Sequence, residues 1–358
     1  MKTTTIEWTD ATWNPVTGCA KVSAGCKNCY AEGVAKRFWG ARKFTDVQCH
    51  EDRLTEPLHW RKPRRVFVNS MSDLFHEDVP DEFIDQVFAV MAMARSHTFQ
   101  VLTKRPDRMR RWVERMESGE NDTGANALGR LWDAMTTCVA PMPGWVEVAF
   151  DCAENVIGDV WPLPNVWIGV SVEDQATADE RIPLLLETPA ALRWVSYEPA
   201  LGPVDFEDIV VRSEAHLEWH FSALECDVDT EDDEPFNGAT LDWIVVGGES
   251  GPGARPFDIE WARSTVEQCK AAGVACFVKQ LGAKPFERQP SLDKGFAGRD
   301  LLDVMNRPRP PQMNGWGRIT TATETFYQRH LDLNDRKGGD MEEWPADLRV
   351  REWPEARS

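Results

Sequence analysis

"RVFVNSMSDLFHEDVPDEFIDQVFAVMAMARSHTFQVLT", residues 65–103, holds a complete strand–helix–strand unit. Its two ends, RVFVNS (65–70) and TFQVLT (98–103), are short apolar runs closed by polar residues. Runs of this kind suit a parallel sheet with both faces covered. Between them, DEFIDQVFAVMAMARS sets Phe83, Val87, Val90 and Met91 on one face of a helix.

The same pattern extends along the chain. NVWIGVS (165–171), LRWVSY (192–197), LDWIVVGG (241–248) and VACFVKQ (274–280) read as further strands. PDRMRRWVERM opens a helix with Pro106 in its first turn. Met109, Trp112, Val113 and Met116 share one face there, and Arg108, Arg111 and Arg115 the other, a candidate docking face for phosphates or a protein. QATADERIPLLLE contains Pro183, so only its first half is expected to be helical. IEWARSTVEQCKAAG ends at Gly273, a helix stop. Strand and helix alternate, which predicts an α/β fold: a partial or complete (β/α) barrel over residues 1–284. A doubly wound open sheet is the rival, but no G-x-G-x-x-G follows the first strand and no Walker loop is present. A helical insertion at 117–161 and an acidic one at 205–237 interrupt the alternation, and 285–358 form an extension expected to pack on the barrel.

The 358 residues carry a formal net charge of −19, which weighs against a general nucleic-acid coat or an anionic membrane surface. The charge is uneven. ECDVDTEDDE (225–234) has seven acidic residues in ten, whereas 104–115 carries six basic ones. No run of 18 apolar residues occurs, so no membrane span is expected, and the N-terminus lacks the apolar core of a secretory signal. A cytoplasmic protein with reduced thiols is the expectation, and its nine cysteines fit metal binding better than disulfides.

Each expected strand ends in polar residues: Asn69, Ser70 and Asp73; Thr103, Lys104 and Arg105; Ser171 and Glu173; Glu198; Gly247, Gly248, Glu249 and Ser250; Lys279 and Gln280. One polar cluster per strand end is what a site at a barrel mouth requires, although such residues also serve as caps and turns. The sharpest signal is TGCAKVSAGCKNCYAE, which places Cys19, Cys26 and Cys29 at C-x6-C-x2-C spacing with Tyr30 directly after. Thiolate-rich sets suit zinc or iron–sulfur. Structural zinc needs a fourth ligand, for which Cys49 or His50 is the candidate. A four-iron cluster on three thiolates leaves one iron open. Cys269, on a helix, and Cys276, in a strand, read as packing residues.

IEWTDATWNPVTGCAKVSAGCKNCYAE, VFVNSMSDLFHEDVP, QVLTKRP, IGVSVED, SYEPALGP, VVGGESGPGARP and DRKGGDMEEWP together resemble a phage-associated three-cysteine-motif family regarded as radical-SAM-like. LTKR and GVSVED also resemble the corresponding strands of spore photoproduct lyase, a radical SAM DNA-repair enzyme. Two departures stand out. Radical SAM enzymes usually carry C-x3-C-x2-C, and their GGE triplet follows the second strand rather than a late one. The resemblance implies a 4Fe–4S cluster on Cys19, Cys26 and Cys29, binding S-adenosylmethionine and yielding a 5′-deoxyadenosyl radical. It implies Asn69, Ser70 and Asp73 at the methionine end, with Tyr30 and Thr103 beside the cofactor. Ser171 and Glu173 would meet the ribose, Gly247–Ser250 the adenine, and Lys104 and Glu198 would act in catalysis. A nucleotide or nucleic-acid substrate follows from the cationic mouth. The alternative is a metal-stabilised binding module, or a phage protein engaging a host partner in the host cytoplasm.

Overall fold

The structure is a computed structural model that describes residues 4–118, 127–139, 161–212, 218–226, 238–251, 253–290, 316–320 and 325–355. Most of the acidic run at 225–234 and much of the 117–161 insertion, with Cys152, lie outside the described residues.

Seven strands form the main sheet: β1 (Ala11–Trp13), β2 (Arg65–Val68), β3 (Thr98–Thr103), β4 (Val166–Val172), β5 (Leu192–Tyr197), β6 (Trp243–Gly247) and β7 (Ala275–Gln280). Their order in the sheet follows their order in the chain, and every neighbouring pair is parallel. The sheet curls into a half-barrel. α1 (Tyr30–Phe38) follows the cysteine loop, and the helices α2 (Asp81–Met93), α3 (Pro106–Ser118), α4 (Gln175–Leu186) and α5 (Ile259–Ala272) pack over the outer face of the sheet. Parallel neighbours need such crossovers, and all strand carboxyl ends therefore lie at one rim.

Two differences from the sequence reading have physical causes. β1 is only three residues long, too short for periodicity to register, and it makes the cysteine loop the first strand–helix loop. α4 continues through Pro183. A capping box between Asp174 and Thr177, with burial of Ala178, Ile182, Leu185 and Leu186, outweighs the proline penalty of about 3 kcal/mol. The described part of the first insertion, Ala127–Val139, joins the main core through Leu131, Ala134 and Met135, and Arg130 reaches Asp85 at 2.6 Å. Between β5 and β6 no helix stands among the described residues; an antiparallel pair, Ile209–Arg212 with Glu218–Phe221, takes that place and buries Ile209.

The faces of the strands divide the core. Val66, Val68, Phe99, Val101, Val195, Ile244 and Val278 pack outward under the helices. Phe67, Trp167, Trp194, Trp243, Val245 and Phe277 point inward with Trp8 and fill the amino-terminal half of the interior. Trp8 stacks edge-on to Phe67 at 4.7 Å and to Trp194 at 5.2 Å. Gly169 makes room for this floor, since a Cβ there would come within 2.5 Å of the Trp194 indole. This floor gathers Trp8, Trp167, Trp194 and Trp243 in one cluster.

The C-terminal tail covers the free edge of β7. Val278 N donates to Val350 O and Glu352 N to Cys276 O, both at 2.9 Å. Trp353 packs on Phe277 at 5.0 Å and lies under the Arg65 guanidinium at 4.6 Å, linking β7 to the start of β2. Strands Phe257–Asp258, Pro285–Pro290, Thr325–His330 and Trp316–Thr320 form a second sheet.

Candidate functional site

A cavity of about 450 Å³ opens at the carboxyl-end rim. Cys19, Cys26 and Cys29 all line it, as do Tyr30, Asn69, Ser70, Asp73, Thr103, Lys104, Arg105, Ser171, Glu198, Gly248, Glu249, Ser250, Lys279 and Gln280. Residues far apart in the chain thus converge, while Trp8, Phe67 and Leu102 supply its apolar floor. Glu173 and Gly247 do not line it. Cys49 and His50 are also outside it; His50 Nε2 instead meets Thr17 Oγ1 at 2.7 Å.

The cysteine loop is held from three strand ends by three carboxylates. After β2, Asp73 pairs with Arg105 at 3.0 Å and accepts from Thr103 Oγ1 at 2.8 Å. Arg105 in turn donates to Ala20 O at 3.2 Å and to Cys19 Sγ at 3.7 Å. After β4, Glu173 is fully buried and accepts from Ser23 Oγ at 2.8 Å, from Arg181 at 3.2 Å and from Lys104. Gly25 lies against the same carboxylate, where a Cβ would approach to 2.3 Å. After β6, Glu249 takes Arg255 through both oxygens, at 2.7 and 3.0 Å, and Asn28 Nδ2 at 3.0 Å. Arg255 also donates to Ala24 O at 2.9 Å. These bonds give Asp73, Glu173 and Glu249 a positioning role toward the thiols.

Charge follows geometry. Burial pushes the Cys19 thiol up to about 11, the Asp73 carboxylate adds to this, and Arg105 offsets part of it. Burial also raises the Glu173 carboxyl, but Lys104 and Arg181 outweigh it and hold the group below the usual carboxylate range. At Glu249 burial is likewise outweighed, here by hydrogen bonds from Arg255 and Asn28.

Other groups keep capacity toward the cavity. Asn69 adopts φ +60, a left-handed conformation that asparagine tolerates better than most residues. Its Oδ1 accepts from Val16 N, while its buried Nδ2 lacks a partner among the described residues. A buried donor without an acceptor costs about 1–3 kcal/mol, which a ligand oxygen would recover. Lys279 stands 2.9 Å from both oxygens of Glu198. Lys104 donates to Ser171 Oγ at 2.5 Å. Tyr30 leaves its ring exposed and donates its hydroxyl to Ser70 O. Gly248 permits close backbone approach, since a Cβ there would meet Leu281 O at 2.5 Å.

Among the described residues no three His, Cys, Asp or Glu side chains already stand in a metal-holding arrangement. The donor set nevertheless fits a cluster by its chemistry: three cysteines line one cavity, and the two fourth-ligand candidates lie elsewhere. Ser23, Asn28, Arg181, Arg255 and Lys337 escaped the sequence reading. Asn28, Arg255 and Lys337 sit inside motifs that stood out, CKNCYAE, GPGARP and DRKGGD, but nothing local told which partner each would meet. The arginine face of α3 is largely spent: Arg108 donates to Val79 O and Asp81, and Arg115 pairs with Asp81, leaving Arg111 outward.

No curated protein and no solved structure matches the chain. The family described as "Protein of unknown function (DUF5131)" matches residues 3–310, and the chain belongs to it.

Proposed function

We propose that this family member is an iron–sulfur, radical-SAM-like enzyme acting on a nucleotide or nucleic-acid substrate at the half-barrel rim. The observation that carries the reading is the convergence of three cysteines and a partnerless buried donor on one cavity above an apolar aromatic floor. Cys19, Cys26 and Cys29 would hold a 4Fe–4S cluster, which when bound supplies one-electron reduction of S-adenosylmethionine.

The chain's own residues perform the remaining work. Asp73, through Arg105, and Glu173 and Glu249 directly, hold the loop that carries the three cysteines. Asn69 Nδ2 offers a donor to a ligand carboxylate or hydroxyl. Glu198 and Lys279 neutralise each other on the wall and present a donor–acceptor pair to a polar substrate. The tryptophan floor excludes water from below, which strengthens every polar contact above it.

Anaerobic purification, reconstitution with iron and sulfide, and metal analysis with visible absorption test the reading. About four irons with matching sulfide, lost on replacing any of the three cysteines by alanine, is the expected result. Stoichiometric zinc without iron would overturn it and favour a metal-stabilised binding module. S-adenosylmethionine binding is then read by calorimetry, with Asn69→Ala expected to weaken it by about tenfold.

A further inference from the structure

We propose that α1 and the cysteine loop form a docking ridge for a single-stranded nucleic acid, which presents one base to the cavity. The inference rests on the substrate class proposed above and adds the surface that recognises it.

α1 is built inside out. Its buried residues are the small Ala31 and Ala35, while Tyr30, Val34 and Phe38, spaced four apart, face solvent. They are 56, 36 and 71% exposed, and Val22 on the adjoining loop is 47% exposed. These are four of the six large hydrophobic residues exposed among the described residues, so the apolar surface is concentrated here. A helix that only stabilised the fold would turn its large apolar side inward.

Charge identifies the occupant. Residues 19–43 hold six basic residues (Lys21, Lys27, Lys36, Arg37, Arg42 and Lys43) and one acid, Glu32, a local balance of +5 in a chain of net −19. Lys21 and Lys36 share Glu32, whereas Lys27, Arg37 and Lys43 have no carboxylate partner among the described residues. Cations interleaved with exposed rings suit a strand whose phosphates pair and whose bases stack. Successive stripe residues rise about 6 Å along the helix axis, a spacing suited to an unstacked strand. The stripe runs into the site, because Lys21, Val22 and Tyr30 also line the cavity. A strand crossing the ridge leaves the mouth open to an extruded base, whereas a lipid surface pressed on this face would seal it.

Fluorescence anisotropy of the full chain with a labelled oligothymidylate tests the proposal, with and without reconstituted iron and sulfide. Binding that falls log-linearly with salt is expected, and Phe38→Ala should weaken it by about tenfold. Lys36→Glu with Arg37→Glu should reduce the salt slope by about two. Lys270→Glu, on α5, should leave binding unchanged. Five results would overturn the proposal: no binding at physiological salt, equal competition by polyglutamate, unchanged binding by Phe38→Ala, preference for phosphatidylserine vesicles, or self-association that Phe38→Ala abolishes. Iron uptake and docking are separate readouts. Binding without iron uptake sinks the cluster while the ridge stands, and iron uptake without binding does the reverse.

Discussion

Cys19 shows how one residue's chemistry depends on what packs around it. Its thiol is pushed up to about 11, chiefly by burial, with help from Asp73. At pH 8 only about one molecule in a thousand then carries the thiolate. Alkylation of Cys19 in the metal-free protein, followed by peptide mass spectrometry, should rise about tenfold per pH unit until near that value. Asp73→Asn removes a negative charge and should speed the reaction at pH 8; a rate already equal to that of glutathione in the native protein would refute the assignment. Metal uptake needs the deprotonated form, so loading should slow as pH falls. The three thiols were legible as a metal-type signal from their spacing alone. Their buttresses were not, because Ser23 meets Glu173 across 150 positions and Asn28 meets Glu249 across 221.

At the scale of elements, the loop that carries the cysteines depends on the strand ends. Glu173→Gln would leave Arg181, which is 2% exposed, without its carboxylate, and would release Lys104 and Ser23 from their charged acceptor. Removing one partner from a buried ion pair costs about 3–5 kcal/mol, so urea unfolding should show a large loss. The sign with pH follows from the lowered carboxyl of Glu173. Its stabilisation is present above the unfolded carboxyl's ordinary value and is lost as pH falls through the folded one, so the wild-type and Glu173→Gln curves should converge in acid. A change confined to a helix end should act differently. Gly273 ends α5 at φ +69 with open space where an alanine methyl would stand, so Gly273→Ala should cost only about 1–2 kcal/mol of backbone strain, with iron uptake unchanged. α5 and its stop are readable from the sequence because capping is local. α4 is longer than its sequence suggests because a proline rule says nothing of the burial that overrides it.

Across the whole molecule, the half-barrel leaves an edge that the tail covers. Removing residues 350–358 would free the backbone groups of Cys276 and Val278 and take Trp353 off Phe277. The truncated protein should self-associate in size-exclusion chromatography, as exposed parallel edges do. A monomeric truncation as stable as the full chain would show that the tail is dispensable. The interior floor makes a second global prediction. Gly169→Ala drives a carbon into the Trp194 indole, and overpacking of that kind costs about 1–3 kcal/mol, read as a lower urea midpoint.

What the amino-acid sequence determined by itself was the alternation of strands and helices, the polar residue at each strand end, and the cysteine spacing. All are periodic or local, and hydrophobic pattern and turn chemistry act over a few residues. Only the tertiary structure decided that β1 precedes the cysteine loop, that three carboxylates hold that loop, that Arg108 and Arg115 are spent on Asp81, and that α1 turns its large apolar side outward. Those outcomes depend on which distant groups meet when seven strands close into a half-barrel, and a buried charge takes whichever partner that closure brings within reach.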